Sequence, residues 1–393
     1  MAMRIGFLVS HPIQYLTPLF RELDKRCDLT VYFAHRQTAE QQADSGFGVA
    51  FEWDLDLLSG YRSEFLSNIS GTPSPDTFWG CNTPDIARRI SDGRFDAFIV
   101  PGWALWSYWQ ATIACRRNGV PVLVRGDSQL VTQRGGVMRL VKELVFPQVL
   151  RCFDGFLYVG QRNRDYLIHY GVPAERLFFS PHCVDNDAFK KASEAARHLR
   201  PEPPPSDRPR LLFVGKLIPR KNPLDLLRAA ALLQKRGVAV EVLFAGSGDL
   251  ADELADFAKT AGLAVQFLGF ANQTQLPAIY AAADVIVLPS RIETWGLVVN
   301  EAMACGLPAI VSDAVGCAPD LVETGRTGAV HRLGDIPALA EAIETVLHAD
   351  RPAQRRNVAE RIAAYSPAAA ATGILEGAAT VRARRFAKAA KAA

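Results

Sequence analysis

The chain has 393 residues, of which 49% are hydrophobic and 22% are charged, and its formal net charge is +3 at pH 7. This length exceeds what one ordinary hydrophobic core accommodates, so the composition predicts a globular protein of two domains. So small a net charge argues against a dedicated nucleic-acid-binding protein, although it permits a local basic patch.

The N-terminal stretch MAMRIGFLVSHPIQYL predicts a β-strand rather than a signal peptide. It has no charged first region, no long apolar region and no cleavage site. The seven cysteines are scattered along the chain without a CxxC pair, which favours reduced thiols. We therefore expect a cytoplasmic protein, with a location at the inner face of the membrane as a further expectation.

Short apolar runs alternate with helical stretches along the chain, for example RIGFLVS, AFIVPG, GFLYVG, LLFVGK and VIVLPS. Such runs are typical of parallel strands whose sheet is covered by helices on both faces. The pattern occurs twice, on either side of the charged and proline-rich segment 190–210. We predict an N-terminal Rossmann-like domain over 1–189, a linker over 190–210 and a second Rossmann-like domain over 211–365. A helix over 366–393 with a basic tail is expected to pack back on the first domain.

The uncharged segment 97–115 is divided by Pro101 and Gly102, so it predicts a strand and a separate helix rather than a transmembrane span. Within it, tryptophans recur every third residue at Trp103, Trp106 and Trp109. Two interpretations are open for these side chains: packing in the core, or stacking on sugar rings, whose C–H faces suit aromatic surfaces.

The segment 134–153 mixes apolar residues with Arg134, Arg139, Lys142 and Arg151. A helix on the domain surface is one interpretation. Docking on an anionic membrane is the other, since basic amphipathic segments bind such surfaces.

Glycines and basic residues follow two strands of the second domain. FVGKLIPRKNP places Gly215, Lys216 and Lys221 just beyond one strand, and LFAGSGDL places Gly246 just beyond the next. Ligands of open α/β sheets bind beyond the carboxyl ends of strands, and lysines neutralise an anion such as a diphosphate. Glycine turns with solvated lysines are the alternative, because neither loop has the spacing of a dinucleotide fingerprint or a Walker loop.

The stretch RIETWGLVVNEAMACGLPAIVSD, residues 291–313, places Glu293 and Glu301 eight residues apart. The backbone amides near residues 295–297 would lie at the start of a helix, which is a natural anion site. Eight residues of helix span roughly 10–12 Å, comparable to the distance from a ribose across a diphosphate to a sugar. A structural ion pair of Glu301 with a lysine or arginine is the alternative.

The pattern ExxGxxxxEAMAxGxP in this stretch resembles the retaining glycosyltransferases of family 4, which have the GT-B fold. The segments FVGKLIPRKNPLDLLRAAALL, VQFLGFANQTQLPAIYAAADVIVLPSRIETWG and VGCAPDLVETGRTGAV are also similar to that family, as is LFFSPHCVDNDAF. The resemblance is strong from about residue 155 to 345. It implies two Rossmann-like domains whose parallel sheets face a central cleft.

The resemblance implies roles for individual residues of the second domain. Lys221 and Lys216 would meet the donor diphosphate, although the family usually has arginine at the position of Lys216. Glu293 would contact hydroxyls of the donor sugar, and Glu301 the ribose of the nucleotide. The full set of expected donor-binding residues is Gly215, Lys216, Lys221, Gly246, Glu293, Thr294, Trp295, Gly296, Leu297, Val298 and Glu301.

The first domain departs from the family pattern. Asp127, in VPVLVRGDSQL, stands about where the family often has a histidine. We expect Asp127 to act with Glu293 and Lys221 in catalysis, by accepting hydrogen bonds from a sugar or orienting the acceptor. Arg125 either binds an acidic acceptor or pairs with Asp127. The further acceptor-binding candidates follow the first strand and are His11, Gln14 and Tyr15.

The resemblance therefore implies a retaining glycosyltransferase that uses a nucleotide sugar and a saccharide or lipid-linked acceptor, in polysaccharide or glycolipid assembly. No metal, no other cofactor and no nucleic-acid partner are expected. A sugar phosphorylase or sugar-phosphate synthase of the same fold is the first alternative. A dinucleotide-dependent enzyme or a non-catalytic nucleotide binder is the second.

Overall fold

The computed structural model of the protein describes residues 2–37, 53–130, 136–198 and 208–392. The described chain divides into two compact units. Unit 1 comprises residues 2–37, 56–130, 136–183 and 367–392, and unit 2 comprises residues 53–55, 184–198 and 208–366. Each unit contains a parallel sheet with helices, which confirms the predicted pair of Rossmann-like α/β folds.

Unit 1 contains, among the described residues, a seven-stranded parallel sheet in the order β3-β2-β1-β4-β5-β6-β7. The strands are Arg4–Val9 (β1), Asp28–Phe33 (β2), Ser63–Phe65 (β3), Ala97–Val100 (β4), Val122–Gly126 (β5), Gly155–Tyr158 (β6) and Leu177–Phe179 (β7). The strand order reverses between β1 and β4, which pair directly. In doubly wound sheets ligands bind at the carboxyl ends of the two strands at such a reversal.

Unit 2 contains, in its described part, a six-stranded parallel sheet in the order β10-β9-β8-β11-β12-β13. The strands are Arg210–Val214 (β8), Glu241–Ala245 (β9), Ala264–Gly269 (β10), Val285–Leu288 (β11), Ala309–Ser312 (β12) and Gly328–His331 (β13). Here the order reverses between β8 and β11. The loops that carry Lys216, Lys221 and Glu293 therefore follow the two strands at the reversal.

Helices connect the strands of both sheets. Those of unit 1 are Thr17–Asp24 (α1), Ile86–Gly93 (α2), Trp106–Arg117 (α3), Val137–Leu150 (α4), Gln161–His169 (α5) and, at the end of the chain, Pro367–Ala392 (α14). Those of unit 2 are Asn186–His198 (α6), Leu224–Lys235 (α7), Ala251–Ala261 (α8), Leu276–Ala281 (α9), Leu297–Ala304 (α10), Ala318–Leu321 (α11), Ile336–Leu347 (α12) and Arg351–Ala363 (α13). The division of 97–115 into strand β4 and helix α3 agrees with the break predicted at Pro101.

The C-terminal helix α14 belongs to unit 1, although it is distant in sequence from the rest of that unit. Its Ala370, Ile374 and Ala378 are fully buried in the same apolar cluster as β1. The helix also passes very close to β7, because a Cβ atom on Gly373 would lie 1.7 Å from the carbonyl oxygen of Phe179. Small residues on one face of α14 therefore allow this contact.

The structure differs from the predicted linker over 190–210 in its first part. Residues 190–198 continue helix α6, which packs within unit 2 through Phe189 and Ser193. These two residues are four positions apart and lie on one face of the helix. Arg197 also donates a hydrogen bond of 2.5 Å to the carbonyl oxygen of Cys305. The charged residues of this segment therefore form the exposed face of an amphipathic helix, and unit 2 begins earlier than predicted.

Candidate functional site

The loops after β8 and β9 in unit 2 are joined by backbone hydrogen bonds. The amide of Gly215 donates to the carbonyl of Ala245 at 2.9 Å, and the amide of Leu217 donates to that of Ser247 at 2.8 Å. Gly246 has a φ of +151°, and a Cβ atom there would lie 1.9 Å from the carbonyl oxygen of Gly215. Only glycine fits at this position, so Gly246 lets the two loops form one surface at the edge of the sheet.

This surface carries a cluster of positive charge. Lys216 precedes the 3-10 helix Pro219–Lys221, which ends in Arg220 and Lys221. The pKa of Lys216 is lowered, first by burial and then by the positive charges of Arg220 and Lys221. The three cations are therefore close enough to repel one another, and a bound anion would relieve that repulsion.

Glu293 meets this cluster from the loop after β11. Its carboxylate pairs with the ammonium group of Lys221, and both side chains are about 15% exposed. The structure thus brings together two residues that are distant in sequence and that were both predicted to contact the donor. The backbone of Glu293 is held in turn by the segment after β12, since its carbonyl accepts a hydrogen bond of 3.0 Å from the amide of Gly316.

The residues between the two glutamates have different positions. Thr294 is exposed, whereas Trp295 is 4% exposed and its indole donates a hydrogen bond of 2.7 Å to Asn300. Gly296 precedes helix α10 with a φ of +105°, and Leu297 and Val298 form the first turn. The Trp295 side chain is therefore part of the core, so of this residue only the backbone remains a candidate for donor contact.

Glu301 is buried in helix α10 and is 6% exposed. Its carboxylate accepts hydrogen bonds from the Tyr280 hydroxyl at 2.7 Å and from the Gln273 amide at 3.3 Å. Burial raises the pKa of Glu301 to about 7, and the two hydrogen bonds oppose this rise. In the described part of the chain no lysine, arginine or histidine forms an ion pair with Glu301, which argues against the structural ion pair considered above.

In unit 1, His11 follows β1 at the strand-order reversal. Its Nδ1 atom lies 2.9 Å from the Ser10 hydroxyl. The pKa of His11 is lowered to about 4 by burial and by His35, while Asp76 acts in the opposite direction. His11 is therefore a neutral imidazole at pH 7, able to exchange hydrogen bonds with a ligand but poorly suited to take up a proton.

A second group of polar side chains lies at the carboxyl ends of β5 and β7. The Asp127 carboxylate is 45% exposed and lies 4.0 Å from Nε2 of His182. Tyr15 packs edge-on against the His182 ring at 5.6 Å. Burial, with a smaller contribution from Asp127, raises the pKa of Tyr15 to about 12. Asp127 also borders a cavity of about 160 Å³ that Asn163 helps to line.

The structure places Arg125 differently from both interpretations of the sequence. Its guanidinium is buried and donates hydrogen bonds to the Ser180 hydroxyl at 3.1 Å and to the carbonyl of Pro181 at 2.8 Å. Arg125 thus fixes the chain after β7. Its positive charge acts at a distance on Tyr15, whose pKa it lowers. Neither acceptor contact nor an ion pair with Asp127 is supported. Gln14, half-buried in the turn before α1, remains a candidate by position.

The three tryptophans of 103–109 have separate environments. Trp103 packs against Phe146 at 4.9 Å, and the indole of Trp109 donates to the carbonyl of Trp103 at 3.1 Å. Trp106 instead contacts Trp79 with ring centroids 5.3 Å apart. Core packing therefore explains two of these residues but not the third.

Sequence reasoning missed several members of these groups. The structure adds Tyr280 and Gln273 as partners of Glu301, His182 as a neighbour of Asp127, and Asp76 as an electrostatic neighbour of His11. These residues come from other strands or loops, so no local spacing indicates the pairing. The segment LFFSPHCVDNDAF carried a usable signal, because His182 follows a strand there.

Comparison with known proteins identifies the family. The family model described as "Glycosyl transferases group 1" matches residues 195–364. The GDP-mannose-dependent alpha-(1-6)-phosphatidylinositol monomannoside mannosyltransferase of Mycolicibacterium smegmatis is 33% identical over 370 residues, which cover 88% of this chain and 88% of that relative. The chain belongs to the glycosyl transferases group 1 family. It is therefore a transferase, as the sequence predicted.

Other similarities to this glycosyltransferase are partial or structural. The alpha-D-kanosaminyltransferase of Streptomyces kanamyceticus is 34% identical over 202 residues, which cover 50% of this chain and 51% of that relative. HepE of Anabaena in complex with UDP has a TM-score of 0.70 at 19% identity and covers 97% of this chain and 100% of that chain. A glycosyltransferase from Rickettsia africae has a TM-score of 0.69 at 14% identity, with coverage of 97% and 98%. These structures support the GT-B fold.

Over the described ranges, no helix of this glycosyltransferase combines the length and the apolar character that a membrane span requires.

Proposed function

We propose that this glycosyltransferase transfers a sugar from a nucleoside-diphosphate sugar to a hydroxyl group of a saccharide or lipid-linked acceptor, with retention at the anomeric carbon. The observation that carries the proposal is the convergence of Lys216, Arg220 and Lys221 beside Glu293, at the strand-order reversal of unit 2. The pairing of Glu293 with Lys221 offsets part of the repulsion within this cluster. A diphosphate, which is the anion that the family resemblance implies, would offset more of it.

In this proposal the cations stabilise the negative charge that develops on the leaving diphosphate. We propose that the amides at the start of α10 add to that effect, because backbone amides at a helix N-terminus favour a bound anion. Glu293 contacts hydroxyls of the donor sugar, with its carboxylate oriented by Lys221. Since these side chains supply the positive charge, we propose that transfer needs no metal ion.

We propose that Glu301 binds the ribose of the donor nucleotide. Its carboxylate has about four lone-pair sites, and Tyr280 and Gln273 engage two of them. The remaining sites are free to accept hydrogen bonds from the ribose hydroxyls. Tyr280 then acts as a positioning residue that fixes the orientation of the carboxylate.

Retention is inferred from the family resemblance. It implies attack by the acceptor hydroxyl on the same face from which the diphosphate departs, with a departing phosphate oxygen taking the proton. His11 and Asp127 lie at the carboxyl edge of the sheet in unit 1, where we propose that the acceptor binds. The pKa of His11, lowered to about 4, makes it a hydrogen-bonding group for the acceptor rather than the base.

The relatives indicate which kind of acceptor to test. The names of the two relatives above specify a phosphatidylinositol monomannoside acceptor for one and a kanosaminyl group for the other. We propose a role in glycolipid or polysaccharide assembly for this chain, since the name of the Mycolicibacterium smegmatis relative, which covers 88% of this chain, specifies a glycolipid acceptor.

Helix α4 supports contact of unit 1 with a membrane. It exposes a stripe of four aliphatic side chains, of which Leu144 is 78% exposed; the others are Leu140, Val141 and Val145. Arg151 follows Leu144 by seven residues, about two helical turns, and so lies on the same face.

Lys142 is turned inward instead, with its ammonium 4.9 Å from the ring centroid of Tyr166. Arg134 lies outside the described residues, as does the side chain of Arg139.

The stripe ends at an arginine-lined pocket of about 780 Å³. Arg151, Arg176, Arg384 and Arg385 line this pocket, together with Asp154 and Glu175. An apolar stripe next to a basic pocket is complementary to an anionic bilayer. The aliphatic side chains match its apolar interior, and the arginines match its negatively charged head groups. We propose that unit 1 docks on an anionic bilayer through the stripe and this pocket.

The enzymatic proposal is tested by incubating the protein with radiolabelled UDP-, GDP-, ADP- and dTDP-sugars and a lipid extract as acceptor. Transfer of label with release of the nucleoside diphosphate, unaffected by a chelator, is the expected result. Dependence on inorganic phosphate or on a sugar-phosphate acceptor would instead indicate the phosphorylase or synthase alternative. Absence of any turnover, together with absence of diphosphate binding, would contradict the proposal.

A further inference from the structure

An exposed aromatic cluster lies in unit 1 and is formed by Phe78, Trp79 and Trp106. Trp79 is 63% exposed and Phe78 is 38% exposed. The ring centroids of Phe78 and Trp79 are 4.8 Å apart, and those of Trp79 and Trp106 are 5.3 Å apart. Apolar surface that stays exposed contributes no burial energy to folding, and contiguous patches of this kind are typical of binding sites.

The loop that carries Trp79 is held in place by its own hydrogen bonds. The Ser70 hydroxyl donates to the carbonyl of Trp79 at 2.8 Å, and the Asn68 amide donates to that of Gly80 at 2.9 Å. The amide of Trp106 donates to the carbonyl of Phe78 at 2.8 Å. The backbone of residues 78–80 is thus fixed in a conformation that presents the indole of Trp79 to solvent. Such preorganisation favours binding, because little entropy is lost when a ligand docks.

The position of the cluster connects it with the acceptor edge. Trp106 begins helix α3, which follows β4, and His11 follows β1, the partner of β4 at the strand-order reversal. The exposed Asp76 belongs to the same loop as Trp79, and its charge acts on His11. Aromatic faces, a carboxylate and a neutral imidazole therefore share one end of the unit.

We propose that the aromatic cluster is a subsite for a pyranose ring of the acceptor. The C–H face of the sugar stacks on the Trp79 indole, and its hydroxyls donate hydrogen bonds to Asp76. A pyranose has one apolar face and a rim of hydroxyls, which suits an exposed indole and an exposed carboxylate on the same loop. This inference rests on the proposed function and specifies how the acceptor is recognised.

The inference is tested by ligand-observed saturation-transfer NMR with methyl α-mannopyranoside and methyl α-glucopyranoside as probes. The wild type is compared with Trp79→Ala, Trp79→Phe and Phe386→Ala. Phe386 is a matched control, because it is also 63% exposed but lies near the end of α14. We expect saturation of the ring C–H protons in the wild type and Phe386→Ala, a weaker signal in Trp79→Phe and loss of the signal in Trp79→Ala.

Two results would overturn the inference: no saturation of either glycoside by the wild type, or an equal signal in Trp79→Ala. Loss of binding to phosphatidylglycerol vesicles in Trp79→Ala, without loss of glycoside contact, would assign the cluster to the membrane and also overturn it. Thermal shift with nucleoside diphosphates, measured on the same samples, separates this failure from failure of the proposed function. If the wild type binds a nucleoside diphosphate but does not contact either glycoside, the result contradicts the subsite and leaves the proposed function standing.

Discussion

The Tyr280 hydroxyl donates a 2.7 Å hydrogen bond to the buried carboxylate of Glu301, although the two residues come from different helices. Burial raises the pKa of this carboxyl from 4.5 to about 7. The phenol partly offsets the cost of burying the charge. The pair therefore keeps a carboxylate available at neutral pH in an environment that otherwise favours its protonation.

Substitution Glu301→Gln should change how stability depends on pH. Because the folded-state pKa lies above the unfolded-state value, the folded protein holds this proton more strongly, and stability falls as the pH rises from about 4.5 to about 7. The glutamine variant has no ionisable group at this position, so its stability does not fall for this reason. The difference in free energy of unfolding, variant minus wild type, should therefore rise across that window, by on the order of 3 kcal/mol at most. Urea unfolding at several pH values measures this difference, and a constant difference would contradict the raised pKa.

Substitution Tyr280→Phe should destabilise the protein most at a pH above 7, where Glu301 is ionised. A hydrogen bond to a charged group contributes about 1.5–3 kcal/mol, and its loss leaves the carboxylate less well solvated. The affinity for the nucleoside diphosphate should also fall. Tyr365→Phe is the matched control, because its hydroxyl donates to the Asp320 carboxylate at 3.0 Å and has no proposed contact with the donor. Equal loss of affinity in both variants would count against a positioning role for Tyr280.

Substitution Lys221→Ala should reduce kcat/KM by about ten- to a hundredfold, which corresponds to loss of a charge-assisted contact of about 1.5–3 kcal/mol. It also leaves the Glu293 carboxylate without the cation that it pairs with. Steady-state kinetics, with the nucleotide sugar that the radiolabel assay selects as donor, measures the effect. Lys259→Ala, an exposed position on α8, is the control, and unchanged turnover in Lys221→Ala would remove the residue from the site.

Asn222 supports the loop that carries Lys221. It has a φ of +54°, and its side-chain amide donates to the carbonyl of Pro289 at 3.2 Å. Alanine strains this left-handed backbone by roughly 1–2 kcal/mol, whereas glycine does not. We therefore expect Asn222→Ala to be less stable than Asn222→Gly, the reverse of the usual order in a helix. Thermal unfolding compares the two variants, and the opposite ranking would show that the backbone is not constrained as described.

Binding to vesicles of phosphatidylglycerol and phosphatidylcholine should depend on the stripe of α4. Leu144→Glu should abolish most of the binding, and Arg384→Ala should weaken it about fivefold, in line with roughly 1 kcal/mol per basic residue at an anionic surface. Added salt should weaken binding of the wild type. Cosedimentation measures each effect. Ile69→Glu, at a position that is 63% exposed elsewhere in unit 1, serves as the control. Equal binding by Leu144→Glu and the wild type would contradict the docking surface.

Local patterns predicted much of the fold. Apolar runs such as VIVLPS and PAIVSD indicated buried parallel strands, and the helix after Gly296 was predicted from the same stretch of sequence. The loop residues of unit 2 follow strand ends, as their local signal of glycines and cations indicated, while their role in donor binding stays a prediction. Lys221 and Glu293 were both selected from the sequence, and the structure brings them into contact.

The sequence could not predict contacts that depend on the order of strands. The partners of Glu301 and Asp127 follow other strands, and only the observed topology places them together. Arg125 was misjudged because its partner, Ser180, follows β7, two strands away in the sheet. Residues 190–198 were misjudged because charge was taken as evidence of a linker, whereas Phe189 and Ser193 form a buried face.

The most direct test of the central claim is a thermal-shift screen of the wild type and Glu301→Ala with UDP, GDP, ADP, dTDP and NAD. A ligand that binds the folded state raises the melting temperature, by an amount that increases with the logarithm of the ligand concentration divided by Kd. We predict that one nucleoside diphosphate stabilises the wild type, that Glu301→Ala loses this shift, and that NAD has no effect. Stabilisation by NAD alone, or a diphosphate shift of equal size in Glu301→Ala, would contradict the assignment of the two glutamates to a nucleotide-sugar site.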